Sequence, residues 1–176
     1  MTSGQPSIVV IGVGNEYRSD DGAGIAVVRR LQALFPTGVT VLEESGEGAA
    51  LIEAWKKGAT WVMIVDAARS GAPPGTIHRL DARAAPVPTG FFPYSTHAFS
   101  VAEAVELARS LDQLPAHLIV YGIEGENFAA GLGLSPAVAR VVESVVERAA
   151  EEIRTALTVK ANRRQRRANK QVPRSS

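Results

Sequence analysis

The stretch from Ile8 to Leu31 constrains the fold more than any other part of the sequence. An unbroken run of β-branched residues (8–11) is followed by a loop with Gly12 and Gly14, and apolar residues then recur at helical spacing up to Leu31. This change of period predicts a buried strand that leads through a short loop into a helix. In an α/β sheet such a loop lies at the carboxyl end of its strand, where ligands usually bind.

The rest of the chain continues this alternation of strand and helix. The segments 39–44, 61–66 and 117–122 predict strands, and 76–80 predicts a short edge strand. Helical patterns lie at about 21–35, from Leu51 to Gly58, at about 99–111, and from Ser135-Pro136 to about Thr158. We therefore expect an α/β fold, a three-layer α/β/α sandwich with a mostly parallel central sheet of about five strands.

Length and composition limit the classes of protein to consider. A chain of 176 residues with 45% hydrophobic residues fits a single domain, which we place at 1–159. No cysteine is present, which excludes disulfides, thiolate metal sites and cysteine catalysis. No secretory leader pattern or apolar run of membrane-spanning length occurs, so we expect a cytoplasmic protein without a membrane partner.

The charges are distributed unevenly. Residues 160–176 contain seven basic residues and no acidic residue, so the formal net charge of the remaining chain is −6. A segment that is rich in Lys and Arg and almost free of large apolar residues favours disorder, and we predict a basic, disordered tail at 160–176. We expect an idle, solvated tail and no nucleic-acid partner, with contact to nucleic acid or an acidic partner as the less favoured alternative.

A glycine-rich turn after the first strand also occurs in nucleotide-binding folds, but the pattern here departs from theirs. The third glycine of that fingerprint is replaced by Tyr17, and the following helix opens with Asp20-Asp21, whose charges repel phosphate. Neither a phosphate-binding Gly-Lys-Ser/Thr sequence nor a Gly-x-Ser-x-Gly nucleophile motif is present. Nucleotide binding is therefore an unfavoured alternative.

Three candidate metal ligands follow elements of the predicted sheet. Asp21 comes after the first strand, Asp66 ends the third, and His97 closes a long loop rich in Pro and Gly. Because the carboxyl ends of parallel strands meet at one edge, these side chains can converge there. Two carboxylates and an imidazole suit Zn²⁺, Ni²⁺ or a similar ion, with a coordination position left open.

Each of these residues also has a purely structural interpretation. Asp20 or Asp21 can cap the helix that follows, Asp66 can bond the backbone of a turn, and His97 can cap the next helix or lie half-buried. We interpret the other two histidines, His78 and His117, as structural.

The motifs named above resemble those of the hydrogenase maturation endopeptidases, which process the large subunit of nickel-iron hydrogenases. Gly12-Val-Gly-Asn15 followed by Ser19-Asp-Asp-Gly22-Ala-Gly24 is similar to the opening motif of that family. The resemblance continues through Val65-Asp-Ala67, Ser95-Thr-His97, Tyr121-Gly-Ile123 and Leu134-Ser-Pro-Ala-Val138, in order and at matching spacing.

The resemblance implies a protease that removes a C-terminal extension from a nickel-iron hydrogenase large-subunit precursor after nickel insertion. It implies that Asp21, Asp66 and His97 are the catalytic and metal-contacting residues, with Asp20 left as a helix cap. Nickel would be carried by the substrate, and zinc or another divalent ion could take its place. A nickel-sensing binding module or chaperone that does not cleave the precursor is the alternative.

One loop departs from the family pattern. After Gly122-Ile123 the family commonly continues Gln-Pro-Glu, whereas this chain reads Glu124-Gly-Glu126. We expect this loop to help shape substrate docking.

Overall fold

A five-stranded sheet forms the centre of the structure, a computed structural model that describes residues 7–92 and 100–170. The strands are β1 (Ser7–Val13), β2 (Thr40–Glu44), β3 (Ala59–Ala68), β4 (Ile77–Asp81) and β5 (His117–Glu124). Their spatial order is β2-β1-β3-β5-β4, and only β4, at the edge, runs antiparallel to its neighbour among these strands. The predicted α/β fold and mostly parallel sheet are confirmed.

Helices cover both faces of the sheet. They are α1 (Ala23–Leu34), α2 (Gly48–Lys56), α3 (Val101–Ser110) and α4 (Pro136–Lys170), and a 3₁₀ turn at Ser19–Gly22 precedes α1. One hydrophobic core packs the sheet against α1 and α4, and the other packs it against α2 and α3. Alternation along β3 explains why residues 61–65 of this strand are all apolar, because Met63 and Val65 enter the first core while Val62 and Ile64 enter the second.

The order of the strands creates a switch point between β1 and β3. The connection from β1 through α1 leads outward to β2, whereas the connection through α2 crosses β1 to reach β3 on its other side. The strands stay in close register there, with Ile11 of β1 aligned between Leu42 of β2 and Ile64 of β3. Ligands of open α/β sheets bind beyond the carboxyl ends of the strands at such a point.

Helix α4 extends further than the sequence predicts. It continues to Lys170, so the prediction of a disordered segment is wrong for residues 160–170, while residues 171–176 lie outside the described part of the chain. Lys, Arg, Gln and Ala are good helix formers, and an established helix propagates more readily than a new one nucleates. No helix of the described residues is both long enough and apolar enough to cross a bilayer.

Gly24 allows the first turn of α1 to approach the ends of β1 and β3. A Cβ atom at this position would lie 2.6 Å from the carbonyl oxygen of Val13 and closer still to that of Val65. The backbone cannot yield at these contacts as a flexible side chain would. The absence of a side chain at residue 24 therefore places the start of α1, and the loop before it, directly over the switch point.

We predict that Gly24→Ala lowers the free energy of unfolding by about 1–3 kcal/mol, because the added methyl group overpacks two backbone carbonyls. Chemical denaturation measures the change. Gly90→Ala is the matched control, since a Cβ there meets nothing within 4 Å. Equal stability of the two variants would show that the close approach of α1 is not needed.

Candidate functional site

Asp66 is a buried carboxylate at the switch point. Asp66 is 5% exposed. Strand β3 continues for two residues beyond it, to Ala68, so the predicted end of the strand at Asp66 is two residues too early. By strand alternation it continues the row of Val62 and Ile64, on the face covered by α2 and α3. The N–H of Ala67 donates a hydrogen bond of 2.8 Å to its Oδ1.

Asp21 lies beside it, in the 3₁₀ turn before α1. The turn occupies the space left by the missing side chain of Gly14, whose φ of 133° is one that glycine tolerates. Burial raises the pKa of Asp21, although the charge of Arg18 and the N–H of Asn15 act in the opposite direction. This carboxylate is partly open to solvent, whereas Asp66 is covered.

The two carboxylates repel each other in a medium that screens charge poorly. Burial raises the pKa of Asp66 well above its usual value, the charge of Asp21 raises it further, and the bond from Ala67 compensates only in part. Bringing two anionic oxygen ligands together in this way is unfavourable unless a proton or a cation neutralises them. The donor set therefore suits a divalent cation.

The third predicted ligand, His97, lies outside the described residues, so its position stays a prediction. Within the described residues no group of three or more His, Cys, Asp or Glu side chains forms a metal site. The structure thus brings together two of the three predicted residues. Phe92 and Ser100, the described residues on either side of the segment that contains His97, both line the same cleft as Asp21.

Asp20 does not cap a helix, contrary to the role implied by the resemblance. Its fully buried carboxylate accepts four hydrogen bonds of 2.7–2.9 Å, from the backbone N–H groups of Glu126, Asn127 and Ser135 and from the Ser135 hydroxyl. Burial acts to raise the pKa of Asp20, but these hydrogen bonds outweigh it and the pKa is lowered. Asp20 thus fixes the loop 125–135 against the turn that carries Asp21.

The neighbouring Ser19 reinforces this connection. Its N–H donates to the carbonyl of Gly131 at 2.9 Å and its hydroxyl to that of Ala129 at 3.0 Å. The backbone of Ser19 has a positive φ of 52°, an unusual conformation for a residue other than glycine. These bonds hold the loop as one wall of the cleft.

The cleft beside Asp21 has a volume of about 560 Å³. Its lining combines acidic, basic and aromatic side chains: Arg18, Asp21, Arg69, Thr89, Gly90, Phe92, Ser100, Glu103 and Phe128. Ser100 and Glu103 form a capping box at the start of α3, which fixes this side of the cleft. Asp21 forms part of the cleft wall, so a ligand that enters the cleft reaches this carboxylate.

Glu124 has a different place from the one expected of a docking residue. It is 2% exposed, and its carboxylate accepts hydrogen bonds from the Ser70 hydroxyl at 2.8 Å and the Gly71 N–H at 2.9 Å. His78 lies 3.2 Å from the same carboxylate, in agreement with the structural role predicted for this histidine. Glu124, the first residue that departs from the family pattern, therefore fixes the loop after β3 through these hydrogen bonds. Because it is buried, Glu124 itself offers no surface for docking.

Comparison with protein families gives a match to the model of the hydrogenase maturation proteases over residues 25–152. Among individual proteins, the chain is 30% identical over 151 residues to the hydrogenase expression/formation protein HupD of Thiocapsa roseopersicina, covering 83% of this chain and 67% of that protein. It is 31% identical over 149 residues to a putative hydrogenase maturation protease of Methanocaldococcus jannaschii, with 80% and 92% covered.

The fold is also similar to that of a solved structure of a hydrogenase maturation endopeptidase. The hydrogenase maturating endopeptidase HybD from E. coli superposes with a TM-score of 0.71, covering 85% of this chain and 93% of that one, at 24% sequence identity. At this identity the likeness concerns the fold.

We predict that Asp20→Asn lowers the free energy of unfolding at pH 7 by about 2–4 kcal/mol, because the amide NH₂ cannot accept the hydrogen bonds of the oxygen it replaces. The loss should shrink as the pH falls below the ordinary Asp pKa, where the wild-type carboxylate, whose folded-state pKa is lowered, also becomes protonated. Denaturation across this pH range tests both points. Asp112→Asn, in an exposed turn, is the control.

Asp66→Asn should have the opposite effect. Because the folded-state pKa of Asp66 is raised, ionisation opposes folding as the pH rises through the ordinary Asp value, and the neutral amide avoids this cost. We expect Asp66→Asn to melt at a higher temperature than the wild type at pH 7, by about 2–4 °C for each kcal/mol gained in the free energy of unfolding. At a pH well below 3.8 the two proteins should melt at the same temperature. A lower melting temperature of Asp66→Asn at pH 7 would contradict the claim that ionisation of Asp66 opposes folding.

Proposed function

Since the chain belongs to the hydrogenase maturation protease family and is a peptidase, we propose that it removes the C-terminal extension of a nickel-iron hydrogenase large-subunit precursor. We further propose that cleavage follows nickel insertion and that the enzyme recognises the metal in its substrate. A cytoplasmic location and the absence of a nucleic-acid partner stay predictions from the sequence.

The pair of carboxylates formed by Asp66, which is buried, and Asp21, which is partly buried, is the observation that supports metal recognition. Two carboxylates whose pKa values are both raised, at a switch point of the sheet, bind a cation favourably because it removes their mutual repulsion. Carboxylate oxygens, with the imidazole of His97 as the predicted third ligand, suit nickel or zinc. Open coordination positions would be filled by ligands from the precursor.

This arrangement makes recognition depend on two incomplete ligand sets. The enzyme supplies only part of a coordination sphere, so its affinity for a free ion is limited, and the precursor supplies the rest. The shared ion would place the peptide bond to be cleaved at a fixed position in the cleft, which lowers the entropic cost of the reaction. Carboxylates bound to a cation stay ionised, so Asp21 and Asp66 act as ligands while the ion is held.

A nickel-sensing chaperone would share the site but leave the precursor intact. Such a protein would bind the precursor without changing its mass. A peptidase shortens it, and mass spectrometry of the precursor therefore distinguishes the two functions.

We predict that Asp21→Asn, Asp66→Asn and His97→Ala each lower the rate of precursor processing by at least about 100-fold while the protein stays folded, because each removes a metal ligand. Processing is followed by the mass of a nickel-loaded precursor. Asp112→Asn and His117→Ala, both at exposed positions, are matched controls that should process normally. Normal processing by all three site variants would refute the proposal.

A further inference from the structure

Two arginines, Arg18 and Arg69, line the cleft beside Asp21. Arg29, Arg79 and Arg109 each form an ion pair of 2.8–3.0 Å with at least one carboxylate. Arg18 and Arg69, like Arg140 and Arg148 of α4, form no such ion pair with the described residues. The charge of Arg18 acts on the nearby Asp21, and the cleft thus carries two positive charges next to the candidate metal ligands.

Phe128 positions both guanidinium groups. Its carbonyl oxygen accepts a hydrogen bond of 3.4 Å from Arg18, and the guanidinium carbon of Arg69 lies 5.4 Å from the centre of its ring. Phe128 itself is held in place, because the backbone of its neighbour Asn127 donates to Asp20 and the carbonyl of Ala129 accepts from Ser19. The two arginines are thus oriented by a fixed loop, which limits the conformational entropy that binding would cost.

The surroundings make an anionic ligand the best match. Each guanidinium has donors that its contact with Phe128 leaves available, and guanidinium groups match the two oxygens of a carboxylate in geometry as well as charge. Of the two acidic groups in the cleft, Glu103 accepts a hydrogen bond of 2.7 Å from the N–H of Ser100, and Asp21 lies near Arg18 but forms no ion pair with it within 4.0 Å. A carboxylate from outside the chain would satisfy both arginines.

We propose that Arg18 and Arg69 bind a carboxylate of the C-terminal extension and thereby set which precursors are accepted. This inference rests on the proposed function, because it assigns the extension to the cleft beside Asp21. The carboxylate is either the terminal one of the extension or that of an acidic side chain within it. In both cases the arginines hold the segment to be removed, while the acidic pair contacts the metal.

Kinetics with a nickel-loaded large-subunit precursor test this role. Arg18→Gln and Arg69→Gln should each raise KM about threefold or more, and the double variant about tenfold or more, with kcat changed less than KM. Arg69→Lys, which keeps the charge but not the planar fork, should fall between wild type and Arg69→Gln. Arg30→Gln, on the outer side of α1, is the matched control and should leave KM unchanged.

Altered precursors identify the source of the carboxylate. One precursor carries an amidated C-terminus, and another has the acidic side chains of its extension replaced by amides. The precursor that lacks the bound carboxylate should raise KM for the wild-type enzyme but have little further effect on the double variant, since the partners are then already removed.

The inference is overturned if the double variant processes the normal precursor with wild-type KM, or if both altered precursors lose as much affinity for the double variant as for the wild type. These outcomes differ from failure of the proposed function. In that case the wild-type enzyme would leave the nickel-loaded precursor at its full mass, whatever the arginines do.

Discussion

The repulsion between the buried carboxylate of Asp66 and the partly buried carboxylate of Asp21 is the constraint around which the site is built. Asp66 lies buried inside a central strand, and Asp21 adds a second negative charge beside it. An arrangement of this kind reduces the stability of the free protein, because ionisation and burial oppose each other. It becomes favourable when a cation binds. The unfavourable electrostatic free energy is therefore concentrated at the position where, under the proposed function, the metal ion of the substrate supplies a neutralising positive charge.

The surrounding fold holds this pair in place through close backbone packing and through a neighbouring carboxylate whose hydrogen bonds are all formed. Gly24 lets α1 begin against the carbonyls of β1 and β3, which brings the preceding turn over the sheet. Asp20, next to Asp21 in sequence, has the opposite electrostatic character, since four hydrogen bonds stabilise its charge and lower its pKa. One carboxylate thus anchors the loop 125–135, and its neighbour is left available for a ligand. Adjacent residues of the same type serve different purposes because their partners differ.

Much of this could be predicted from the sequence, where the information is local. The change of period after Ile11 predicts the first strand and helix, and the apolar run before Asp66 predicts a central strand, because both patterns follow from burial within a few residues. The bond from Ser135 to Asp20 joins residues 115 positions apart, and no local pattern reveals it. The continuation of α4 past Thr158 was missed for another reason, since a polar segment gains helical order from the helix it extends.

The central claim is that burial and the charge of Asp21 disfavour the ionised form of Asp66, and that a bound cation removes this cost. The titration of its side-chain carboxyl group, followed by ¹³C NMR in the free protein, tests this claim most directly. We expect Asp66 to titrate well above the ordinary value of 3.8, to titrate closer to it in Asp21→Asn, and to lose its proton when a divalent ion binds. A carboxyl group that titrates near 3.8 in the wild-type protein, unaffected by Asp21, would contradict the account.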